Sequence, residues 1–313
     1  MKQCLSNQAL GRRSGMSGCI AVLGLGRMGS AMARRLAEKG YSLVLWNRTV
    51  SRAKVLAEEL GAEVVASPRE AADACEFIHI VVSDDEASLE VLSGSNGVAT
   101  KPLTGKIVFN HATVTPRHSI VADSIVSRAG GIYVEAPVAG NPRNALEGSL
   151  VILCSSRAGE RVCNTKHLRD LGDVVYLGEP PRAAAAKLAF NLSFLSIIAG
   201  LGEAFALVES YGLSADLFAR EVLGRTWIKT IVERYGERLW PRGKASFVAR
   251  LAGKDARYAF EALTDAGLPG GVAAAVANHY ALMTLMGQGE EDYPSLAGFL
   301  AELARSRNRK GRD

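Results

Sequence analysis

Lys187 is the one charged residue between Ala183 and Gly202, and four consecutive alanines precede it. On a helix, its neighbours one turn away are Ala183, Ala184, Phe190 and Asn191. Burying an ammonium on so apolar a face is expensive, and the same desolvation lowers its pKa. A lysine in that state can exchange a proton with a substrate oxygen while a hydride moves to or from the adjacent carbon. It would donate in reduction and accept in oxidation. Asn191, on the same face, could hydrogen-bond that oxygen or orient the lysine. Taken by itself, the pattern also fits a lysine that snorkels from a buried helix to its rim.

A hydride needs a carrier, and Ile20-Ala21-Val22-Leu23-Gly24-Leu25-Gly26-Arg27-Met28-Gly29 supplies a place for one. This is a strand running into Gly-x-Gly-x-x-Gly and then a helix. Gly24 permits the tight turn, Gly26 lets backbone approach a pyrophosphate, and Gly29 allows close helix–strand packing. The free N–H groups and partial positive charge of the helix N-terminus, around Leu25, Arg27 and Met28, suit the phosphates. The next strand ends at Asn47-Arg48-Thr49, about 20 residues beyond Gly24, where an NAD site usually carries Asp or Glu. Asn47 carries no charge to repel a 2′-phosphate and Arg48 can clasp one, so the expectation is NADP, with NADPH preferred over NADH. Without the glycine motif, the triplet reads equally as a helix N-cap with a solvated arginine.

These groups need a scaffold, and the apolar pattern describes one. Strands are expected at Cys19–Leu23, Ser42–Trp46, Glu63–Val65, Phe77–Val82, Lys106–Phe109, Ile132–Glu135, Leu150–Leu153 and Val174–Leu177. Helices should begin near Arg27, Ser51, Pro68, Asp84 and Pro116. That alternation implies an α/β fold: a Rossmann-type doubly wound domain with a mainly parallel sheet covered on both faces. After Gly178-Glu179-Pro180-Pro181 the strand pattern stops, and Ala and Leu recur at helical spacing. The expected organisation is a disordered leader over 1–17, a dinucleotide-binding domain over 18–180, an all-α substrate and dimerisation domain over 181–304, and a disordered basic tail over 305–313.

Composition narrows the function class. The chain of 313 residues is 48% hydrophobic and 22% charged, with a net charge of +5. Its basicity is concentrated in the two ends, leaving a slightly acidic body, which argues against nucleic acid as the partner. The most apolar segment, Leu188–Gly202, is short for a membrane span and contains Asn191, Ser193 and Ser196. It reads as a helix buried in protein. The first 17 residues lack the apolar core of a secretory signal, although Arg and Ser without acid weakly resemble a transit peptide. Met16 is a second possible start. Five cysteines without metal-ligand spacing suggest reduced thiols, a cytoplasmic location and no metal.

With these residues assembled, the chain resembles the β-hydroxyacid dehydrogenase family from about residue 18 to 303. Gly24-Leu25-Gly26-Arg27-Met28-Gly29 looks like the family's cofactor signature, and Glu135-Ala136-Pro137-Val138-Ala139-Gly140-Asn141 like its substrate-binding segment. Lys187-Leu188-Ala189-Phe190-Asn191 matches the catalytic helix, and Lys254-Asp255 matches a late pair near the active site. The resemblance implies Lys187 and Asn191 as catalytic groups, and Val82, Ser83, Thr113 and Lys254 as further cofactor contacts. It implies Ala139, Gly140 and Asn141 as substrate contacts, and a homodimer or homotetramer joined through the first long helix of the second domain. Two departures stand out. Ala139 replaces the family's serine, so carboxylate binding should weaken, with the Asn141 amide a partial substitute. Asn110-His111-Ala112-Thr113 replaces an Asp-x-Ser-Thr loop, with His111 read as a hydrogen-bonded side chain before a catalytic one. The expected activity is NADP(H)-dependent hydride transfer to or from a small aldehyde or hydroxy acid. Imine reduction on the same scaffold and a non-catalytic cofactor-sensing or partner-binding role are the rivals. Retention of Lys187 counts against the first, and retention of both Lys187 and Asn191 against the second.

Overall fold

A computed structural model describes residues 18–241 and 245–310. The leader and residues 311–313 of the tail lie outside the described residues. Six strands form one parallel sheet: β1 (Ile20–Leu23), β2 (Leu43–Trp46), β3 (Glu63–Val64), β4 (Phe77–Ile80), β5 (Ile107–Asn110) and β6 (Ile132–Glu135). Their order is β3-β2-β1-β4-β5-β6, which reverses between β1 and β4 and so opens a crevice at the carboxyl ends of those strands. The helices α1 (Arg27–Glu38), α2 (Val50–Leu60), α3 (Pro68–Ala74), α4 (Asp85–Ser93) and α5 (Pro116–Arg128) cover the two faces. Ile20, Val22 and Leu45 face one core, and Ala21, Leu23, Ile78 and Ile80 the other. Near-continuous apolar strands are what a sheet buried on both faces requires.

The remaining strands depart from the expected single sheet. A two-residue strand β7 (Val138–Ala139) pairs antiparallel with β8 (Leu150–Cys154), which pairs parallel with β9 (Gly172–Tyr176). Between them lie the short helices α6 (Pro142–Glu147), α7 (Glu160–Cys163) and α8 (Lys166–Leu171). Pro137 directs the chain out of β6, so the last three strands form a sheet of their own.

The second domain is helical, as expected: α9 (Arg182–Ser210), α10 (Ala215–Leu217), α11 (Lys229–Tyr235), α12 (Ala249–Asp265), α13 (Gly271–Met283) and α14 (Leu296–Lys310). Leu195, Ile198, Phe205, Ala252, Tyr280 and Leu300 are among the residues of its core. α9 is long and apolar enough to cross a bilayer by length and composition, yet its Leu195–Phe205 face packs into this core.

Two sequence expectations are corrected. Residues 305–310 continue α14 instead of forming a disordered tail, because the Arg305 guanidinium clasps the Glu209 carboxylate at the end of α9. Four cysteines are paired as disulfides instead of being free thiols. The fold brings Cys19 to within 4.7 Å (Cα–Cα) of Cys75 and Cys154 to within 5.9 Å of Cys163. Contacts made by folding across 56 residues are invisible to a spacing rule.

Candidate active site

The glycine loop is built as its motif requires. Gly24 has φ +101°, and a Cβ there would strike the Val81 carbonyl on the neighbouring strand. Gly29 packs its α-carbon against the Gly24 carbonyl, which lets α1 start directly over the sheet. Gly26 faces open space and is the N-cap of α1 without any side-chain cap. The first N–H groups of α1, from Arg27 and Met28 onward, therefore remain for an anion. These residues fit a dinucleotide pyrophosphate. Asn47 braces the loop: its Oδ1 accepts from Leu25 N–H at 2.9 Å and its amide donates to the Thr49 carbonyl at 3.0 Å. Arg48 and Thr49 are exposed beside it. Ser83, also exposed, turns its hydroxyl to Asp84 at 2.6 Å; against the desolvation of Asp84, this bond first, then the Ala87 N–H and the charges of Lys254 and Arg48, hold its carboxyl below the usual range. Val82 packs with Ala112, Val114 and Ala184 at the sheet edge.

Lys187 lies inside the protein, not at its rim. Its side chain is buried on α9, and Nζ donates to Asn191 Oδ1 at 2.9 Å. Asn191 Nδ2 donates to Asp255 Oδ2 at 2.6 Å, reaching across to α12. Asp255 Oδ1 lies 2.9 Å from Lys254 Nζ, and Lys254 donates to the Thr113 carbonyl at 2.8 Å. One chain of contacts thus joins the lysine to the loop after β5. Burial brings the Lys187 ammonium down to about 8, partly offset by the negative charge of Asp255. The Phe190 ring lies 5.1 Å from Nζ.

Glu135, at the end of β6, anchors this helix. Its buried carboxylate accepts from Ala183 N–H at 2.9 Å and from the Ser119 hydroxyl. α9 has no side-chain cap of its own, so a carboxylate from the sheet domain serves its positive end. Nearby, the Arg27 guanidinium donates to the Ala245 carbonyl, and Asp85 N–H donates to the Tyr258 hydroxyl at 3.2 Å. The cleft is spanned on both sides.

The expected substrate segment runs from β7 into α6. The Asn141 side chain is engaged through its oxygen, which leaves its amide hydrogens to donate. Its Oδ1 caps α6, accepting from Arg143 N–H at 2.9 Å and Asn144 N–H at 3.2 Å. Gly140 has φ +139° and Ala139 sits in β7. His111 is buried and structural: Nδ1–H donates to the Ala136 carbonyl at 2.7 Å, and Nε2 lies 2.8 Å from His79 Nδ1. A carbonyl can only accept, so neutral His111 carries its proton on Nδ1 and His79 donates to it. Among the described residues no His, Cys, Asp or Glu cluster could hold a metal.

Residues 19–178 match the family model described as the NAD-binding domain of 6-phosphogluconate dehydrogenase. The chain belongs to the β-hydroxyacid dehydrogenase family. It is 33% identical over 202 residues to glyoxylate/succinic semialdehyde reductase 1 of Arabidopsis thaliana, covering 63% of this chain and 68% of that one. It is 26% identical over 292 residues to mitochondrial 3-hydroxyisobutyrate dehydrogenase of Mus musculus, covering 90% and 87%. A 3-hydroxyisobutyrate dehydrogenase structure from Mycobacterium tuberculosis, with L-serine, superposes with TM-score 0.75 at 21% identity, covering 91% and 99%. The chain is therefore an oxidoreductase with an NAD(P)-binding domain.

Asp255 and Glu135 are the groups that sequence reasoning placed in motifs without assigning a role. Asp255 lies 64 residues from Asn191 and Glu135 lies 48 from Ala183. The available signal was charge type: an acid beside Lys254, and an acid ending an otherwise apolar strand.

Proposed function

We propose that this protein is an NADPH-dependent reductase of small aldehydes, reversible toward the corresponding alcohol, with Lys187 as general acid. The observation that carries the reading is the buried Lys187, tethered through Asn191 to Asp255 and brought down to about 8. A group so poised holds a proton at neutral pH yet can release it. The Arabidopsis relative, named for reducing glyoxylate and succinic semialdehyde, supports the aldehyde class.

Bound NADPH would supply the hydride, with Gly24–Met28 receiving its pyrophosphate and Arg48 its 2′-phosphate. Lys187 Nζ–H gives its proton to the carbonyl oxygen as the carbon is reduced, and Asn191 keeps Nζ aimed. Lys254, holding the Thr113 carbonyl, would fix the loop after β5 against α12, the helix whose Asp255 holds Asn191. Steady-state oxidation of NADPH and NADH with glyoxylate and succinic semialdehyde, in the parent and in Lys187→Ala, tests the reading. Aldehyde turnover that collapses in the variant is expected; turnover indifferent to it removes Lys187 from the mechanism.

A second copy of the chain is the proposed cover for the outer stripe of α9. Ala185, Ala189, Ser193, Ile197, Gly200 and Leu207 lie exposed along it at helical spacing and are small or apolar, with Glu203, paired to His279, as a charge among them. Analytical ultracentrifugation of the parent and of Ile197→Glu tests this: a parent dimer or tetramer that dissociates in the variant is expected, and a monomeric parent rejects it.

A further inference from the structure

The segment that leaves β6 consumes most of its own hydrogen-bond donors. Glu135 and Ser155 exchange backbone bonds at 2.9 and 3.1 Å, and Leu153 N–H donates to the Pro137 carbonyl at 2.9 Å. In an antiparallel ladder the next bonded pair lies two residues on, which is Ala139 opposite Val151. The Ala139 N–H is thus spent in the ladder, and its side chain offers nothing. Asn141 N–H donates to Asn144 Oδ1 at 3.0 Å, while Asn141 Oδ1 is taken up in capping α6. This reciprocal box leaves the Gly140 N–H and the Asn141 amide hydrogens at the tip.

These two neutral groups, with three hydrogens between them, suffice for one carbonyl or hydroxyl oxygen. They fall short of the roughly four lone-pair directions of a carboxylate, whose charge is costly to desolvate without compensation. The ammonium of Lys254 is engaged by Asp255 and the Thr113 carbonyl, and Nη1 of the Arg27 guanidinium donates to the Ala245 carbonyl. Beyond Asn191 and Asp255, apolar surfaces flank Lys187. On one side lie Val82, Ala112 and Val114. On the other an aromatic run begins at Phe190, 46% exposed, and passes to Phe194 (centroids 5.4 Å apart) and Tyr293 (5.2 Å).

We propose that the site takes a neutral carbonyl compound with an apolar substituent, in preference to an aldehyde bearing a carboxylate, and that Ala139 and Asn144 set this preference. The inference rests on the reductase reading above. Asn144 acts by occupying the Asn141 N–H, and Phe190 offers a face for the apolar substituent.

The test is a matched pair, succinic semialdehyde and its methyl ester, assayed for kcat/KM with NADPH in the parent, Ala139→Ser, Asn144→Ala and Phe190→Ala. The ester should exceed the acid by at least about tenfold in the parent. Ala139→Ser and Asn144→Ala should each move the acid-to-ester ratio toward the acid severalfold, through KM. Phe190→Ala should move it the same way by weakening the ester. Thermal melts report whether Asn144→Ala has merely loosened α6, and Ala139→Ser carries the test if it has. A parent that prefers the acid, or a ratio that stays put in both Ala139→Ser and Phe190→Ala, overturns the inference while leaving the reductase reading intact. Silence on both compounds overturns the reductase reading itself, and this inference with it.

Discussion

Asn191 Nδ2 and Asp255 Oδ2 meet at 2.6 Å across the gap between α9 and α12, and the other end of the same amide receives Lys187 Nζ. The asparagine can serve both partners because its amide has a donor end and an acceptor end. Its orientation is fixed by this arrangement, since an ammonium can only donate and a carboxylate can only accept. The negative charge of Asp255 thereby supports the ammonium without touching it.

Replacing Lys187 by Met should keep cofactor binding and lower kcat for aldehyde reduction by about 10²–10⁴-fold. In the parent, reduction requires the protonated lysine, so kcat/KM should fall as pH rises through about 8. Alcohol oxidation requires the neutral amine and should rise through the same range. Rate profiles from pH 6 to 10 in both directions check this, and a flat profile in both contradicts the assignment.

Asp255→Asn should displace that limb. Asp255 raises the Lys187 pKa, so losing its charge lowers it, and reduction should begin to fail at a lower pH than in the parent. A loss of activity uniform across pH would instead mean that Asp255 is needed only for packing.

Arg48→Ala bears on cofactor choice. Loss of one charge-assisted contact to a 2′-phosphate corresponds to about 1.5–3 kcal/mol, or roughly tenfold to a hundredfold in affinity. The dissociation constant for NADPH should rise by that factor while that for NADH barely moves. Fluorescence titration of the two cofactors distinguishes the cases, and an equal effect on both removes Arg48 from specificity.

Acid stability should be set largely by His79, His111 and His167, three of the four buried histidines among the described residues. They cluster within the sheet domain, the ring of His79 stacked on His111 (centroids 5.0 Å) and edge-on to His167 (4.9 Å). Burial holds His79 well below its usual value, His111 at about 4 and His167 at about 3. Each is neutral when folded but protonates near 6.5 when unfolded. Their contribution is therefore complete above pH 6.5 and is lost as pH falls below it, each proton steepening the loss by about 1.4 kcal/mol per pH unit. Denaturant melts at pH 7.5, 6 and 5 should show the decline, and His79→Phe should flatten part of it.

The glycine loop, the parallel strands and the all-helical second half are legible because local rules govern them: a positive φ at Gly24, apolar runs, and helical spacing around Lys187. The neighbours of Lys187 in the chain allow either burial or a snorkelling side chain, and packing of α9 against α12 decides for burial. What escaped reading was set by distant contacts. β7 is two residues long, too short for a periodic pattern, and α7 has four. Asn141 was legible as a polar tip, but its engagement by Asn144 depends on the turn they form together. Arg305 reads as part of a charged tail until Glu209 is beside it.

The grip of Glu135 on the first turn of α9 bears on how the enzyme would work. A two-domain protein joined at a single crossover could behave as a clamshell that waits for its ligand. Here a carboxylate on the sheet side holds the backbone of the helix that carries Lys187, Arg27 reaches the same way to the Ala245 carbonyl, and Lys254 grips the Thr113 carbonyl from the opposite direction. The position of Lys187 relative to the glycine loop is thus a standing dimension of the framework, set during folding. Such a protein would work like a fixed-gap tool, with discrimination falling on what can slide into the opening.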